Sequence, residues 1–434
     1  MVPMPLSKGD RVAVLTSGGD APGMNAALRA AARVGVELGL DMVGVEDGYA
    51  GLIDGRVVPL SIRALDEASR RGGTVLGTAR SKAFATAEGQ ARARNTIETS
   101  HLRGLLVIGG NGSLTGARTL ANVETKGGRF VVGGVPASID NDLGSTSMAI
   151  GVDTAMNTIV EACDRIFDTA AAHKRTFLVE VMGRDCGYLA MTAGIAAGAD
   201  AVLVREADRD ENSIVEQVVR TMQRAYASTA DGGESKRRVL VIKSEGVKID
   251  SNRLKELVDA RLEQVLPDVD SRVTVLGHVV RGGAPTAFDR LLAQRLANAA
   301  LRGMMHGETD FMAGWCGPGI TRSPCPWDPY VVLTPLEEVL AETEKLMRGE
   351  SPLAQWRKRI FREAHIPHYP TEVEAVRGFS HLARRADLVR SLLARPAGAD
   401  RNRRTRKMDA ECEEDEKRQG NDRDVHPKQS AIRR

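Results

Sequence analysis

The stretch Leu106–Ala117, LVIGGNGSLTGA, decides the fold. It continues an apolar run, Leu105–Ile108, of the kind that fills a strand buried on both faces, and it breaks abruptly into Gly109-Gly110. Without side chains in the way, backbone there can approach an anion closely. Ser113 stands where a helix would begin, so orphan N–H groups and the positive end of a helix dipole face the same point. Taken alone, the segment fits a structural strand-to-helix turn equally well. Asn111 at its centre is either a phosphate-loop residue or the trace of a lost metal ligand.

Working outward, short β-branched runs alternate with longer amphipathic segments, which predicts an α/β fold with a mostly parallel sheet and helices on both faces. Expected strands are Val12–Thr16, Asp41–Val45, Leu105–Ile108, Phe130–Gly133, Thr176–Val181, Val239–Lys243 and Val273–Leu276. Expected helices include Asn25–Leu38, Asp153–Thr169, Ile214–Ala225 and Ala287–Leu301. In the second of these, Ala155, Ile159, Ala162 and Ile166 fall on one face and read as core contacts.

The chain has 434 residues, room for two or three domains, and 42% hydrophobic content. A net charge of +3 implies no bulk attraction to nucleic acid or to an anionic membrane. Cys163, Cys186, Cys316, Cys325 and Cys412 are odd in number and lack CxxC spacing, which fits free thiols in a reducing compartment. The N-terminus lacks the order of a signal peptide and no apolar run reaches membrane-spanning length, so a cytoplasmic protein is expected. Residues 335–394 read as a helical appendage. From 395 to 434 mixed charge and few large apolar residues predict a disordered tail, including a solvated Arg401–Lys407 cluster.

Gly turns recur just after strands, and ligands of open α/β sheets collect at that carboxyl edge. Ser17-Gly18-Gly19 follows the first strand. Gly72–Ser81, GGTVLGTARS, ends near Arg80, a fixed charge suited to phosphate oxygens. The stretch after the Phe130–Gly133 strand, VGGVPASIDNDLGST, carries Ser138, Asp140 and Asp142. If that loop is extended, both carboxylates point to one side, where proximity raises one pKa and a divalent cation relieves the other. One base and one cation-assisted charge sink are what phosphoryl transfer requires. Arg175, Arg184, Arg272, His278 and Arg281, at strand ends, suggest a dianionic small substrate, with Glu245 accepting from sugar hydroxyls.

Together TSGGDAPGMNAALR, GGTVLGTAR, GGNGSLTGA, SIDND, TAAAHKRTFLVEVMGRDCGYLA, SEG and TVLGHVVRGGAPTAFDR resemble the ATP-dependent 6-phosphofructokinase family, in order from about residue 10 to about residue 335. The resemblance implies two Rossmann-like three-layer αβα domains with the active site in the cleft between them. The nucleotide domain would take residues 10–151 and a return segment, 281–334, with the sugar-phosphate domain at 152–280. It implies that Asp140 takes the proton from the 1-hydroxyl of fructose 6-phosphate in a step of glycolysis, with Ser138, Asp142 and Arg184 beside it. Gly19, Arg80, Ser81, Gly110, Asn111, Gly112 and Ser113 would hold ATP. Ser138, Ile139, Asp140, Met182, Gly183, Arg184, Glu245, His278 and Arg281 would hold the sugar phosphate. Arg175 and Arg272 match arginines lent across a subunit interface, so a homotetramer is expected, with Mg2+ as the cofactor and no nucleic-acid or membrane partner.

Three positions depart from the family pattern. Asn111 replaces an Asp at the magnesium ion, which predicts a working enzyme with raised metal demand. Ala137 replaces Gly, while Gly112 matches ATP users; small residues at both favour ATP. Arg29, Arg33 and Arg56 match a basic effector site, but Phe167 stands where another Arg is usual. The alternatives are a pyrophosphate-dependent enzyme and a non-catalytic sugar-phosphate-binding regulatory homologue that has lost metal competence through Asn111.

Overall fold

The computed structural model describes residues 6–364 apart from Asn122, 126–127, Lys174, 227–237, Gln264, Asp268 and 318–321. The expected charged tail, Cys412 and residues 365–394 of the expected appendage lie outside the described residues.

In chain order the first half contains β1 (Arg11–Ser17), α1 (Met24–Glu37), β2 (Asp41–Val45), α2 (Gly48–Asp54), β3 (Val57–Pro59), α3 (Ile62–Ala68), α4 (Ala87–Thr99), β4 (Leu102–Gly109) and α5 (Asn111–Leu120). A small ribbon, β5 (Glu124–Thr125) with β6 (Gly128–Arg129), precedes β7 (Val131–Pro136). Then come α6 (Val152–His173), β8 (Arg175–Val181), α7 (Tyr188–Ala196), β9 (Ala201–Leu203), α8 (Glu211–Tyr226), β10 (Val239–Ser244), α9 (Ser251–Leu262) and β11 (Asp270–Val275). The chain ends its described part with α10 (Ala287–Met305), β12 (Phe311–Trp315), β13 (Val331–Pro335), α11 (Leu336–Arg348) and α12 (Pro352–Ala364).

A seven-stranded sheet runs β13-β12-β7-β4-β1-β2-β3, parallel except for its two edge strands, β3 and β13. A four-stranded sheet, β11-β8-β10-β9, is parallel throughout. The central strand β4 is buried at every position but Arg103, as a strand covered on both faces must be. On one face α1 packs against α10, and both offer small side chains there: Ala27, Ala30 and Ala31 on α1, Ala293, Ala297 and Ala300 on α10.

The topology fixes where a ligand can go. From β1 the chain moves to β2 on one side and later returns to β4 on the other, so the switch point lies between β1 and β4, where Ser17 sits in register with Gly109. Two of the Gly turns therefore open side by side. The third neighbour, β7, ends with Pro136 against Gly109, which delivers the acid loop to the same edge.

One buried carboxylate ties this sheet to α6. Asp289, fully buried on the first turn of α10, accepts from the Gly151 amide (2.9 Å), the Thr154 amide (2.8 Å) and the Thr154 hydroxyl (2.6 Å). Asp289→Ala leaves three buried donors unpaired and is expected to cost about 3 kcal/mol or more of unfolding free energy in urea titration. A loss below about 0.5 kcal/mol, the range of an ordinary surface change, would contradict this role.

Candidate active site

The first wall of the site is built on the β1–β4 switch point. The Gly72–Ser81 stretch is strapped across it: Thr16 Oγ1 lies 2.8 Å from Thr74 Oγ1 and donates to the Gly77 carbonyl (2.8 Å), while Thr78 Oγ1 donates to the Gly18 carbonyl (2.9 Å). Asn25 holds the same stretch by accepting from the Val75 amide (2.8 Å) and donating to the Arg71 and Gly72 carbonyls (each 3.2 Å). Arg80 emerges from it exposed. Ser81 is half-buried, its Oγ accepting from the Phe84 amide (3.2 Å) in the short 3-10 turn that follows.

Helix α5 begins at Asn111, with Gly110 as its N-cap, two residues earlier than the sequence suggests. Asn111 and Gly112 are exposed on its first turn, and a side chain at Gly112 would meet nothing within 4 Å. Ser113 is buried and its hydroxyl has no partner among the described residues. The first amides of a ten-residue helix thus face the switch point beside an unfilled hydroxyl, an arrangement that favours an anion.

The acid loop is not extended. Asn141 takes a left-handed conformation (φ 50°) and its amide reaches the Ser138 carbonyl (3.3 Å), so Ser138–Asn141 is a tight turn and simple alternation does not place the carboxylates. They still meet electrostatically. Asp142 Oδ1 accepts from Ser138 Oγ at 2.8 Å, whereas Asp140 Oδ1 is buried and unpaired among the described residues. Burial, then the neighbouring Asp142, push the Asp140 carboxyl up to about 6 against the pull of Arg281; Glu245 and Asp185 add to the rise. Ile139, just before Asp140, is fully buried in the hydrophobic core and anchors the turn from within.

Arg281, Glu245 and Asp185 act on Asp140 from the second sheet, which therefore reaches the acid loop. Its carboxyl edge carries Met182, Gly183 and Arg184 after β8, Glu245 after β10, and His278 and Arg281 in a short 3-10 segment after β11. Gly183 has φ 126° and a Cβ there would lie 2.5 Å from the Cys186 carbonyl, so no side chain fits; the Gly183 carbonyl accepts from the Ser244 hydroxyl. Arg281 crosses to the first sheet, its Nη1 donating to the Asp20 carbonyl (3.0 Å) and lying 2.9 Å from where a Gly19 Cβ would stand. Ser138, Asp140, Asp142, Glu245, Arg281 and Gly19 are thus drawn together, while Arg184 and His278 stand exposed at the same edge.

Arg175 and Arg272 are elsewhere. Strand β8 starts with Arg175 and ends at the site, which puts Arg175 roughly 20 Å away, at the amino edge of the sheet. Arg272 joins it there, both guanidiniums sharing Asp270 (3.0 and 2.7 Å). Within one chain they cannot touch what Asp140 touches.

A family model described as phosphofructokinase matches residues 11–304. The chain belongs to the phosphofructokinase family. It is 44% identical over 304 residues to the ATP-dependent 6-phosphofructokinase of Natranaerobius thermophilus, covering 70% of this chain and 89% of that one. To ATP-dependent 6-phosphofructokinase 1 of Thermus thermophilus it is 41% identical over 345 residues, 80% and 98% of the two chains. Among solved structures, phosphofructokinase from Saccharomyces cerevisiae aligns with a TM-score of 0.69 at 31% identity, covering 82% of this chain and 49% of that one. A pyrophosphate-dependent phosphofructokinase from Marinobacter aquaeolei shares the fold at 20% identity, TM-score 0.62, over 76% of this chain and 83% of that one.

Basic residues outside the site are engaged locally: Arg29 and Arg33 with Asp66, Arg56 with Asp47, and Arg238, whose guanidinium lies over the Phe167 ring at 4.3 Å. Sequence reasoning missed Asp185, which stands next to Arg184 and pairs with Arg205 (2.6 Å), and Asp289, whose signal was the FDR triplet at the start of a helix. Among the described residues no cluster of three or more His, Cys, Asp or Glu side chains could hold a metal ion. Asp142→Asn removes the like charge beside Asp140 and should lower its titration from about 6 toward the ordinary carboxylate range, read by carbon-13 NMR of the side-chain carboxyls. An unchanged or higher value would contradict the charge coupling.

Proposed function

We propose that this chain is an ATP-dependent 6-phosphofructokinase, a glycolytic phosphotransferase that moves the γ-phosphoryl group of ATP to the 1-hydroxyl of fructose 6-phosphate, giving fructose 1,6-bisphosphate and ADP. The observation that carries the reading is the Asp140 carboxyl beside the β1–β4 switch point, whose Oδ1 is buried with no partner among the described residues and whose titration is pushed up to about 6. The names of the 40–44% identical relatives favour ATP as donor. The open space at Gly112 and the small Ala137 favour it too, since neither obstructs a nucleotide.

In this reading the 1-hydroxyl oxygen forms its bond to the γ-phosphorus as the bond from that phosphorus to the β-phosphate bridging oxygen breaks. Asp140 receives the hydroxyl proton, and ADP leaves with the bond electrons. A base with a raised pKa suits the task because it holds the proton better than an ordinary carboxylate while remaining ionised at neutral pH. Ser138, oriented by Asp142, stands beside the transferred group. Arg184 and Arg281 face its charge, and the amides of the α5 start with Gly19, Arg80 and Ser113 receive the nucleotide phosphates. Met182, Gly183, Glu245 and His278 receive the sugar phosphate.

The donors near the α5 start and the acid loop are hard oxygens, Asp142 and the Asn111 amide, too few to enclose a cation alone. They fit Mg2+ that keeps its waters and is held largely by nucleotide phosphates, and such an ion supplies charge neutralisation at those phosphates. Arg175 and Arg272 would act from a neighbouring subunit of a homotetramer in the cytoplasm, because within one chain they face away from the site.

Purified protein supplied with ATP, Mg2+ and fructose 6-phosphate is expected to release ADP, and to turn over at least tenfold more slowly with pyrophosphate, a margin of about 1.4 kcal/mol in transition-state binding. Absence of turnover with ATP even at high Mg2+ would overturn the reading. Asp140→Ala is expected to lower kcat by roughly 10²–10⁴ with little change in sugar-phosphate affinity, because proton transfer is the lost contribution. A raised KM with unchanged kcat would assign Asp140 to binding alone. Asn111→Asp should reduce the Mg2+ concentration giving half-maximal rate several-fold, since it restores a charge next to the cation; no change would place Asn111 away from the metal.

A further inference from the structure

The acid loop is held from outside the matched family region, which ends at residue 304. Helix α11 supplies Thr343, almost fully buried, whose Oγ1 accepts from the Gly144 amide at 2.9 Å while donating to its own helix at the Val339 carbonyl (2.7 Å). The contact is close: a Cβ on Gly144 would fall 2.5 Å from the Thr343 backbone nitrogen. Helix α12 supplies Arg357, which is 6% exposed and donates through Nη1 to the Asn141 carbonyl at 2.8 Å, 216 residues away in sequence. Its guanidinium stacks on the Tyr188 ring at 4.4 Å, and its Nη2 is buried with no partner among the described residues.

A buried guanidinium making one protein hydrogen bond among the described residues is an expensive way to fill space, and an apolar side chain would cover the Tyr188 ring at lower cost. What only a cationic donor supplies here is a charge-assisted bond to one carbonyl. That carbonyl belongs to the residue between the two carboxylates. Asn141 is fully buried and in the left-handed region, which Asn adopts more readily than most side chains and which the contacts around it select. Its side chain meets the Ser147 carbonyl and the Ala149 amide (each 3.0 Å), and Arg357 fixes the remaining polar group, its carbonyl. The charges facing the guanidinium are Asp142 on the loop and Glu206 after β9, with the Cys186 thiol and Tyr188 hydroxyl beside it.

We infer that α11 and α12 clamp the acid loop, and that Arg357 is a positioning residue: by holding the Asn141–Asp142 peptide it sets where the Asp140 and Asp142 carboxylates stand. The inference rests on the reading of Asp140 as the base. It gives the C-terminal helices a task in the reaction without contact to substrate.

The test uses the full chain and three variants, Arg357→Ala, Arg357→Lys and Gln355→Ala, the last on the exposed side of α12. For Arg357→Ala, kcat should fall roughly 10–100-fold with each KM within about twofold, the effect of misplacing a reacting group by a fraction of an ångström. Arg357→Lys, which keeps a cationic donor, should recover most of that loss, and Gln355→Ala should match the unaltered chain. Deuterium exchange of amides 141–149 should quicken about tenfold in Arg357→Ala while β1 and β4 stay protected. An unchanged kcat in folded Arg357→Ala, a raised KM in place of a lowered kcat, no recovery with Lys, or faster exchange across both sheets would reduce Arg357 to a structural contact. If Arg357→Ala does not fold, Arg357→Gln is read by the same criteria. Should the unaltered chain fail to turn over ATP, the proposed reaction fails, and the exchange at 141–149 still decides the clamp.

Discussion

The structure depends on keeping two carboxylates close together and one oxygen of Asp140 away from water. Asp140 and Asp142 leave the end of β7 on a turn whose middle residue is left-handed, and solvation is denied to Asp140 Oδ1. In that poorly solvated place the Asp142 charge raises the proton affinity of Asp140. Within the turn the Ser138 hydroxyl, bonded to Asp142, offsets part of that cost. The rest of the support is brought from far away: the Asp289 carboxylate under Gly151, Thr343 under Gly144 and Arg357 under Asn141. Each holds backbone, leaving the acidic side chains free.

The parallel sheets explain why the charged turn is useful. Parallel strands deliver their carboxyl ends to one edge, and the order reversal between β1 and β4 leaves a crevice there that no crossover helix fills. Around that crevice the chain sets anion-accepting amides on one side and Arg281 and Glu245 on the other, with the raised-pKa acid between. The candidate site is therefore a junction of two sheets, and Arg281 physically bridges them by reaching the Asp20 carbonyl.

Much of this was legible in sequence. The seven expected strands all exist, because continuous β-branched runs such as VLVIK at 239–243 leave little else to form when both faces are covered. Strands β3, β9, β12 and β13 and the β5–β6 ribbon escaped, since runs of two to five residues carry weak periodicity. The SIDND motif marked the acid loop but not its shape: Asn141 tolerates the left-handed region, and the contacts that hold it there come from residues 6 to 216 positions further along. Arg175 and Arg272 looked like members of one strand-end cluster. Their strands place them at the opposite edge, something direction along a parallel strand decides and local composition does not. The same holds for Arg357, one of many basic residues in a charged helix until packing shows which of them is buried.

The central claim is that the acid turn supplies the base, and the pH dependence of kcat at saturating ATP and fructose 6-phosphate tests it most directly, because saturation removes the ionisation of free substrates from the measurement. A base raised to about 6 must lose its proton to work, so kcat should fall below pH 6 and approach a tenfold drop per pH unit. A kcat that stays level from pH 7 to about pH 5 would contradict the account, because Asp140 would then be protonated without consequence.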